Sequence, residues 1–149
     1  MLMKKILLAE DNPFDLELAL AGLAEYRLTN EVVVARDGAE ALDYLRSRGR
    51  FVDRAPGHPM VILLDLKMPK VDGLEVLRQI KSDPELRVIP IVILTSSREE
   101  QDVVESYNLG VNAYVVKPVA FDKFVEVVKQ IGLFWVLTNE VPTRLVHTL

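Results

Sequence analysis

Side chains able to do chemistry follow four of the short apolar runs in this sequence. They are Glu10 and Asp11, then Asp65, Thr95 and Lys117. Three carboxylates in one place would repel each other, and a divalent cation would remove that penalty. Ligands that are all oxygen favour Mg²⁺ or Mn²⁺ over zinc. A Lys ammonium and a Thr hydroxyl at the same place could hold an anion. The combination suits phosphoryl transfer by positioning and charge neutralisation, with Asp65 as the nucleophile that forms an acyl phosphate.

These residues can meet only if the apolar runs form neighbouring strands. Five such runs alternate with helical patterns, at about residues 5–9, 32–35, 60–64, 89–94 and 113–116. Alternating strands and helices predict an α/β fold, a parallel sheet covered on both faces with right-handed crossovers. Strands buried on both sides read as continuous apolar runs, as these do. Because parallel strands end at one edge, where open sheets bind ligands, the reactive residues are predicted to share that edge.

The intervening segments carry recognisable helix starts and stops. Asn12-Pro13 predicts a helix to about Tyr26, and Asp37 to Glu40 has the form of a capping box. Asp72-Gly73 starts a third helix, and Ser96 or Ser97 caps a fourth that runs to about Tyr107. A polar stretch at 47–59 predicts a long surface loop. The last helix has an apolar face made by Phe121, Phe124, Val125, Val128 and Ile131.

The bulk composition describes a single small domain. The 149 residues are 50% hydrophobic, which argues against disorder, and the net charge of -4 argues against a nucleic-acid surface. There is no Cys, so thiolate chemistry is excluded and a reducing, cytoplasmic compartment is predicted. The apolar start is too short for a signal peptide, and no run is long enough to span a bilayer.

The ordered set of motifs resembles the receiver domain of two-component response regulators, over about residues 4 to 132. The matching motifs are Glu10-Asp11-Asn12-Pro13, Asp65-x-x-Met68-Pro69-x-x-Asp72-Gly73, Thr95-Ser96 and Lys117-Pro118. The resemblance implies a flavodoxin-like, doubly wound fold with five parallel strands in the order 2-1-3-4-5. It implies a signalling protein rather than a classical enzyme, capable at most of Mg²⁺-dependent self-phosphorylation and slow autodephosphorylation.

The resemblance also implies roles for the residues at the strand ends. Asp65 would accept a phosphoryl group from a histidine of a sensor histidine kinase. The Mg²⁺ ligands would be Glu10, Asp11, Asp65 and the backbone carbonyl of Lys67.

Two further residues are implied to form a switch. Thr95 would move to bond the phosphoryl group while Lys117 pairs with it, and Tyr114 would swing inward as Thr95 moves. A plain core role for Tyr114 is the rival interpretation.

The tail from residue 133 to 149 lies outside the pattern of five strands and helices, so the receiver domain is assigned to residues 1–132. Its Phe134-Trp135 pair, with a later Pro, is similar to the C-terminal extension of receivers paired with bacterial and cyanobacterial phytochromes. This implies a single-domain regulator whose kinase is a bacteriophytochrome. It also implies a homodimer built partly by Phe134 and Trp135, although these could instead pack on their own domain. No nucleic-acid or membrane partner is expected.

Two other function classes share this pattern. A metal-dependent phosphatase also uses an aspartyl nucleophile, but it usually carries a second Asp two residues later, where this chain has Lys67. A scaffold that kept only the fold is the other alternative, and the intact acid, Thr and Lys set argues against it.

Overall fold

The structure is a computed structural model that describes residues 5–25, 32–117, 122–123 and 126. Its strands are β1 (Ile6–Ala9), β2 (Val32–Ala35), β3 (Val61–Asp65), β4 (Ile91–Thr95) and β5 (Ala113–Val116). Its helices are α1 (Pro13–Glu25), α2 (Gly38–Leu45), α3 (Gly73–Ser82) and α4 (Arg98–Ser106). The apolar face of the predicted last helix and the Phe134-Trp135 pair lie outside the described residues.

The five strands form one parallel sheet in the order β2-β1-β3-β4-β5. The predicted α/β class, the flavodoxin-like topology and the strand order are therefore confirmed. The register pairs Ala9 with Leu64 and Asp65 with Leu94, so the strands end nearly level. That alignment brings the residues at the carboxyl ends of the strands to one edge.

Two apolar cores sandwich the sheet, because successive side chains of a strand point to opposite faces. On one face, Leu8, Leu63 and Leu94 pack with α1 residues such as Leu16 and Leu23. On the other face, the strand residues pack with α2, α3 and α4; they include Leu7, Ile62, Leu64, Ile91 and Ile93. Each fully buried Leu or Ile contributes about 1.5–3 kcal/mol, so both faces stabilise the central strands.

Helices α1 to α4 each begin at a side-chain cap that accepts a backbone N–H. Asn12 Oδ1 accepts from Asp15 N at 3.0 Å, and Asp37, Asp72 and Ser97 cap α2, α3 and α4 in the same way. Of the two candidate caps for α4, Ser97 is therefore the one used. Such caps are worth about 1 kcal/mol each, and they fix the point where the chain leaves the edge of the sheet.

The predicted loop at 47–59 contains a short 3₁₀-helix, Gly49–Phe51. The ring of Phe51 meets Tyr44 edge-on with the centroids 5.1 Å apart. Arg54 Nε donates to Tyr44 O at 2.6 Å, and its guanidinium lies over the Tyr44 ring. These contacts fix the loop against α2, away from the carboxyl edge of the sheet. Across residues 5–25 and 32–117, no helix has the length and apolar character needed to cross a membrane.

Candidate functional site

Successive side chains of a strand point to opposite faces of the sheet, and this alternation decides which reactive side chains share a face. Glu10, Asp65 and Lys117 each come two residues after a side chain of the core under α1, namely Leu8, Leu63 and Val115. They therefore lie on the α1 side at the carboxyl ends of β1, β3 and β5. Thr95 comes two residues after Ile93, which belongs to the core on the other face. Its side chain at the end of β4 therefore lies on the α4 side.

The structure brings three carboxylates together at this edge. Oxygen atoms of Glu10, Asp11 and Asp65 all lie within 4.8 Å of one another. Glu10 and Asp65 are buried, and Asp11 is exposed at the mouth of the site. Hard divalent cations take oxygen ligands, so this donor set fits Mg²⁺ or Mn²⁺.

Lys117 places its ammonium among three carboxylates. Its Nζ lies 3.1 Å from Asp65 Oδ1, 3.2 Å from Glu10 Oε2 and 3.1 Å from Asp15 Oδ2. The Lys117 side chain is only 14% exposed, so its charge is poorly shared with water. A positive charge so close to Asp65 can hold an anion formed there.

The crowding of charges alters the pKa values of the cluster. Burial and the neighbouring Asp65 charge raise the pKa of Glu10 to about 7, although Lys117 opposes the shift. Burial also raises the pKa of Asp65, while hydrogen bonds from Glu10 and Lys117 work in the opposite direction. For Lys117, burial would lower the pKa, but the attraction of Asp65 and Glu10 outweighs burial and raises it. Lys117 is therefore a permanent cation at neutral pH.

Thr95 lies on β4, which is beside β3, and Tyr114 lies on β5, the edge strand next to β4. Thr95 is fully buried, and its Oγ1 finds no hydrogen-bond partner among the described residues. Lys117 N donates to Thr95 O at 2.7 Å, which ties the end of β5 to the end of β4. Tyr114 is half-buried against the core on the α4 side.

The loop after Asp65 is held from both sides by lysines. Lys67 Nζ lies 3.3 Å from Glu100 Oε2 in the first turn of α4, and Lys70 Nζ lies 3.4 Å from the α2 cap, Asp37. Gly73 N donates to Leu66 O at 2.8 Å, which closes the loop onto the start of α3. The path of the backbone through Lys67 is therefore fixed close to the carboxylates.

Two side chains at this edge did not emerge from the sequence as site residues. Asp15 contacts Lys117, and Glu100 contacts Lys67 and accepts Ser96 N at 2.7 Å. Their position in the sequence could have indicated them, because both are acids in the first turn of a helix that begins at this edge.

With the fold and this geometry established, the class of the protein follows. Residues 6–129 match the model of the response regulator receiver domain, and the chain belongs to that family. The resemblance drawn from the motifs is therefore confirmed.

Comparison with individual proteins shows which members of the family this chain is similar to. The chain is 40% identical over 139 residues to the response regulator Rcp1 of Synechocystis sp., with 93% of each chain covered. The bacteriophytochrome response regulator RtBRR is 59% identical with a TM-score of 0.87, covering 95% of this chain and 86% of that one. The structure of the phosphorylated cyanobacterial phytochrome response regulator RcpA is 44% identical with a TM-score of 0.73, covering 95% and 100%. This receiver is thus related to phytochrome response regulators.

Proposed function

We propose that the protein is a phosphorylation switch in which Asp65 accepts a phosphoryl group from a phosphohistidine of a sensor histidine kinase. The observation that carries the proposal is the contact of a buried Asp65 carboxylate with the Lys117 ammonium at 3.1 Å, beside two further acids. This arrangement offers a nucleophile, a cation site and a fixed positive charge at one point.

The chemistry requires little of the protein beyond position and charge. An Asp65 oxygen attacks the phosphorus, an O–P bond forms, and the P–N bond to the histidine breaks. The imidazole leaves with the bonding electron pair, and Asp65 becomes an acyl phosphate. Lys117 stays within reach of the phosphoryl oxygens as a point charge. A Mg²⁺ ion bound by Glu10, Asp11, Asp65 and the carbonyl of Lys67 would neutralise charge on those oxygens.

The buried hydroxyl of Thr95 supports the signalling step. Its Oγ1 has no hydrogen-bond partner among the described residues, and a phosphoryl oxygen on Asp65 would supply an acceptor. A move of Thr95 toward that oxygen would change the packing of Tyr114 on the neighbouring strand. Strand β5 and helix α4 would then present a changed surface to a protein partner.

The names of the similar proteins support the choice of kinase and cation. RtBRR and RcpA are response regulators of phytochromes, RcpA was solved phosphorylated, and Rcp1 was solved with Mn²⁺. A phytochrome-type histidine kinase is therefore the proposed phosphoryl donor, and a divalent cation the proposed cofactor. An aspartyl phosphatase is the weaker candidate, because the position two residues after Asp65 holds the cationic Lys67.

The proposal is tested by phosphorylation in the presence of Mg²⁺, with acetyl phosphate or an autophosphorylated phytochrome-type kinase as donor. Intact-mass spectrometry should detect one added phosphoryl group, and Asp65→Asn should abolish it because the nucleophile is lost. Asp43→Asn, on α2 and paired with Arg48, should be labelled like the natural protein. Labelling of Asp65→Asn, or steady turnover of an unrelated phosphate ester, would contradict the proposal.

A further inference from the structure

The ammonium of Lys117 has a third partner that comes from a helix rather than from a strand end. Asp15 Oδ2 accepts a hydrogen bond from Lys117 Nζ at 3.1 Å, the same distance as Asp65 Oδ1. Asp15 is not one of the three acids whose oxygen atoms cluster for a cation. It therefore contacts the lysine but belongs neither to the cation ligands nor to the reacting carboxylate.

The backbone of Asp15 is fixed, whereas Lys117 is long and flexible. Asp15 stands in the first turn of α1, and its N–H donates to the Asn12 cap at 3.0 Å. A lysine has four rotatable side-chain bonds, so an ammonium with partners on one side only can adopt several positions. Lys117 has one partner on α1 and two at the strand ends, and partners on both sides hold Nζ between Asp15 and Asp65.

Asp15 also affects the competition between the ammonium and a divalent cation. Lys117 and a cation would share oxygen atoms of Glu10 and Asp65, since both positive groups attract the same carboxylates. An additional carboxylate on the α1 side satisfies part of the ammonium charge while Nζ stays beside Asp65, so more of those oxygen atoms remain for the cation. With the cation bound, Asp15 still gives Lys117 a partner, so the lysine need not leave the site.

We propose that Asp15 is a positioning residue that holds the Lys117 ammonium beside Asp65 and leaves the strand-end carboxylates to the cation. This rests on the proposed function for its effect on phosphorylation, but not for its effect on cation binding. The simpler interpretation is that an acid in the first turn only favours the helix dipole. The contact with Lys117 argues against that interpretation. The side chains of Asp15 and Lys117 are only 22% and 14% exposed, so this ion pair is more shielded from water than a pair on the surface.

The first test measures Mn²⁺ binding to the full chain by loss of the free-ion EPR signal, and phosphorylation rate at saturating Mg²⁺. Asp15→Asn should weaken Mn²⁺ binding several-fold and slow phosphorylation about tenfold, the size of a lost hydrogen bond to a charged group. Asp15→Glu should recover most of the rate. Glu17→Gln, which removes the same charge from the exposed side of α1, should leave both quantities within about twofold of the natural protein.

The second test asks whether Asp15 acts through the lysine. In a Lys117→Ala background, Asp15→Asn should cause no further loss of rate, because the group that it positions is gone. Equal losses with and without Lys117 would overturn the proposal, as would an Asp15→Asn variant with natural Mn²⁺ affinity and rate. If the natural protein is not phosphorylated at all while Asp15→Asn still weakens Mn²⁺ binding, the proposed function fails and the role of Asp15 at the cation site stands.

Discussion

The carboxyl group of Glu10 is buried against Asp65, and this contact opposes its ionisation. The pKa of Glu10 rises from 4.5 to about 7 because of burial first and the Asp65 charge second. A buried acid that resists ionisation gives up stability when it is forced to ionise. A bound cation would add a second positive charge to that of Lys117, so the cluster is expected to favour a cation most strongly when Glu10 is ionised.

The pH dependence of stability follows from this shift. Because the folded-state pKa of Glu10 is raised, its contribution to the free energy of unfolding is complete below about pH 4.5 and is lost as the pH rises through about 7. In EDTA, urea unfolding should therefore give a lower free energy at pH 8 than at pH 5, by on the order of a few kcal/mol from this group.

Controls for this prediction separate Glu10 from other titrating groups. Glu10→Gln should flatten the pH dependence between pH 5 and 8, whereas the exposed Glu99→Gln should keep it. Mg²⁺ should stabilise the natural protein more at pH 8 than at pH 6, since at the lower pH the cation must displace a proton. An unchanged slope in Glu10→Gln would show that another group is responsible.

At the scale of elements, Gly73 couples the start of α3 to β3, the strand that ends on Asp65. A Cβ at this position would overlap the Asp65 carbonyl oxygen and lie 2.6 Å from Leu66 Cα. Those atoms are backbone and cannot rotate away, so Gly73→Ala must displace either the helix or the end of β3. The variant should lose about 2–4 kcal/mol in urea unfolding and should be phosphorylated more slowly because Asp65 is shifted.

The control for Gly73 lies at the other end of the same helix. Ser82→Ala removes an exposed hydroxyl in the last turn of α3 and should change stability by less than about 0.5 kcal/mol. A Gly73→Ala variant as stable and as readily phosphorylated as the natural protein would mean that α3 shifts freely without moving Asp65.

The elements themselves were largely predictable from the sequence. β2 and β5 have the predicted bounds, β1 begins one residue late, and β3 and β4 differ by one or two residues at each end. Apolar runs bounded by Pro and Asp mark buried strands clearly. The contacts between elements were less predictable. Asp37 does accept Glu40 N, but the Glu40 side chain binds Arg50 instead of completing the capping box.

Whether a site residue could be predicted depended on whether it lies at the end of a strand. Glu10, Asp65 and Lys117 were identifiable because a strand end in a parallel sheet has a known neighbourhood. The contact of Asp15 with Lys117 joins residues 102 positions apart. It depends on how α1 lies over β5, and local sequence pattern carries no information on that packing.

At the scale of the whole molecule, the proposed phosphorylation of Asp65 would act as a signal only if it changed a surface where another protein can bind. The connection available in the structure runs along two adjacent strands. Thr95 at the end of β4 accepts a hydrogen bond from Lys117, and Tyr114 lies three residues earlier on β5. Only β4 therefore separates β3, which ends on Asp65, from β5 at the outer edge of the sheet.

The proposed homodimer also concerns the whole molecule, and the proposal rests on residues of the tail. Phe134 and Trp135 are large apolar residues, the type that is enriched in the cores of protein interfaces. If they hold two copies together, replacing both by Ala in the full chain should convert a dimer to a monomer in light scattering, with circular dichroism unchanged. Val88→Ala is the matched control, because it removes an exposed apolar side chain on the described domain and should leave the dimer intact. A double variant that stays dimeric would mean that these two residues pack on their own domain, and that any dimer is built elsewhere.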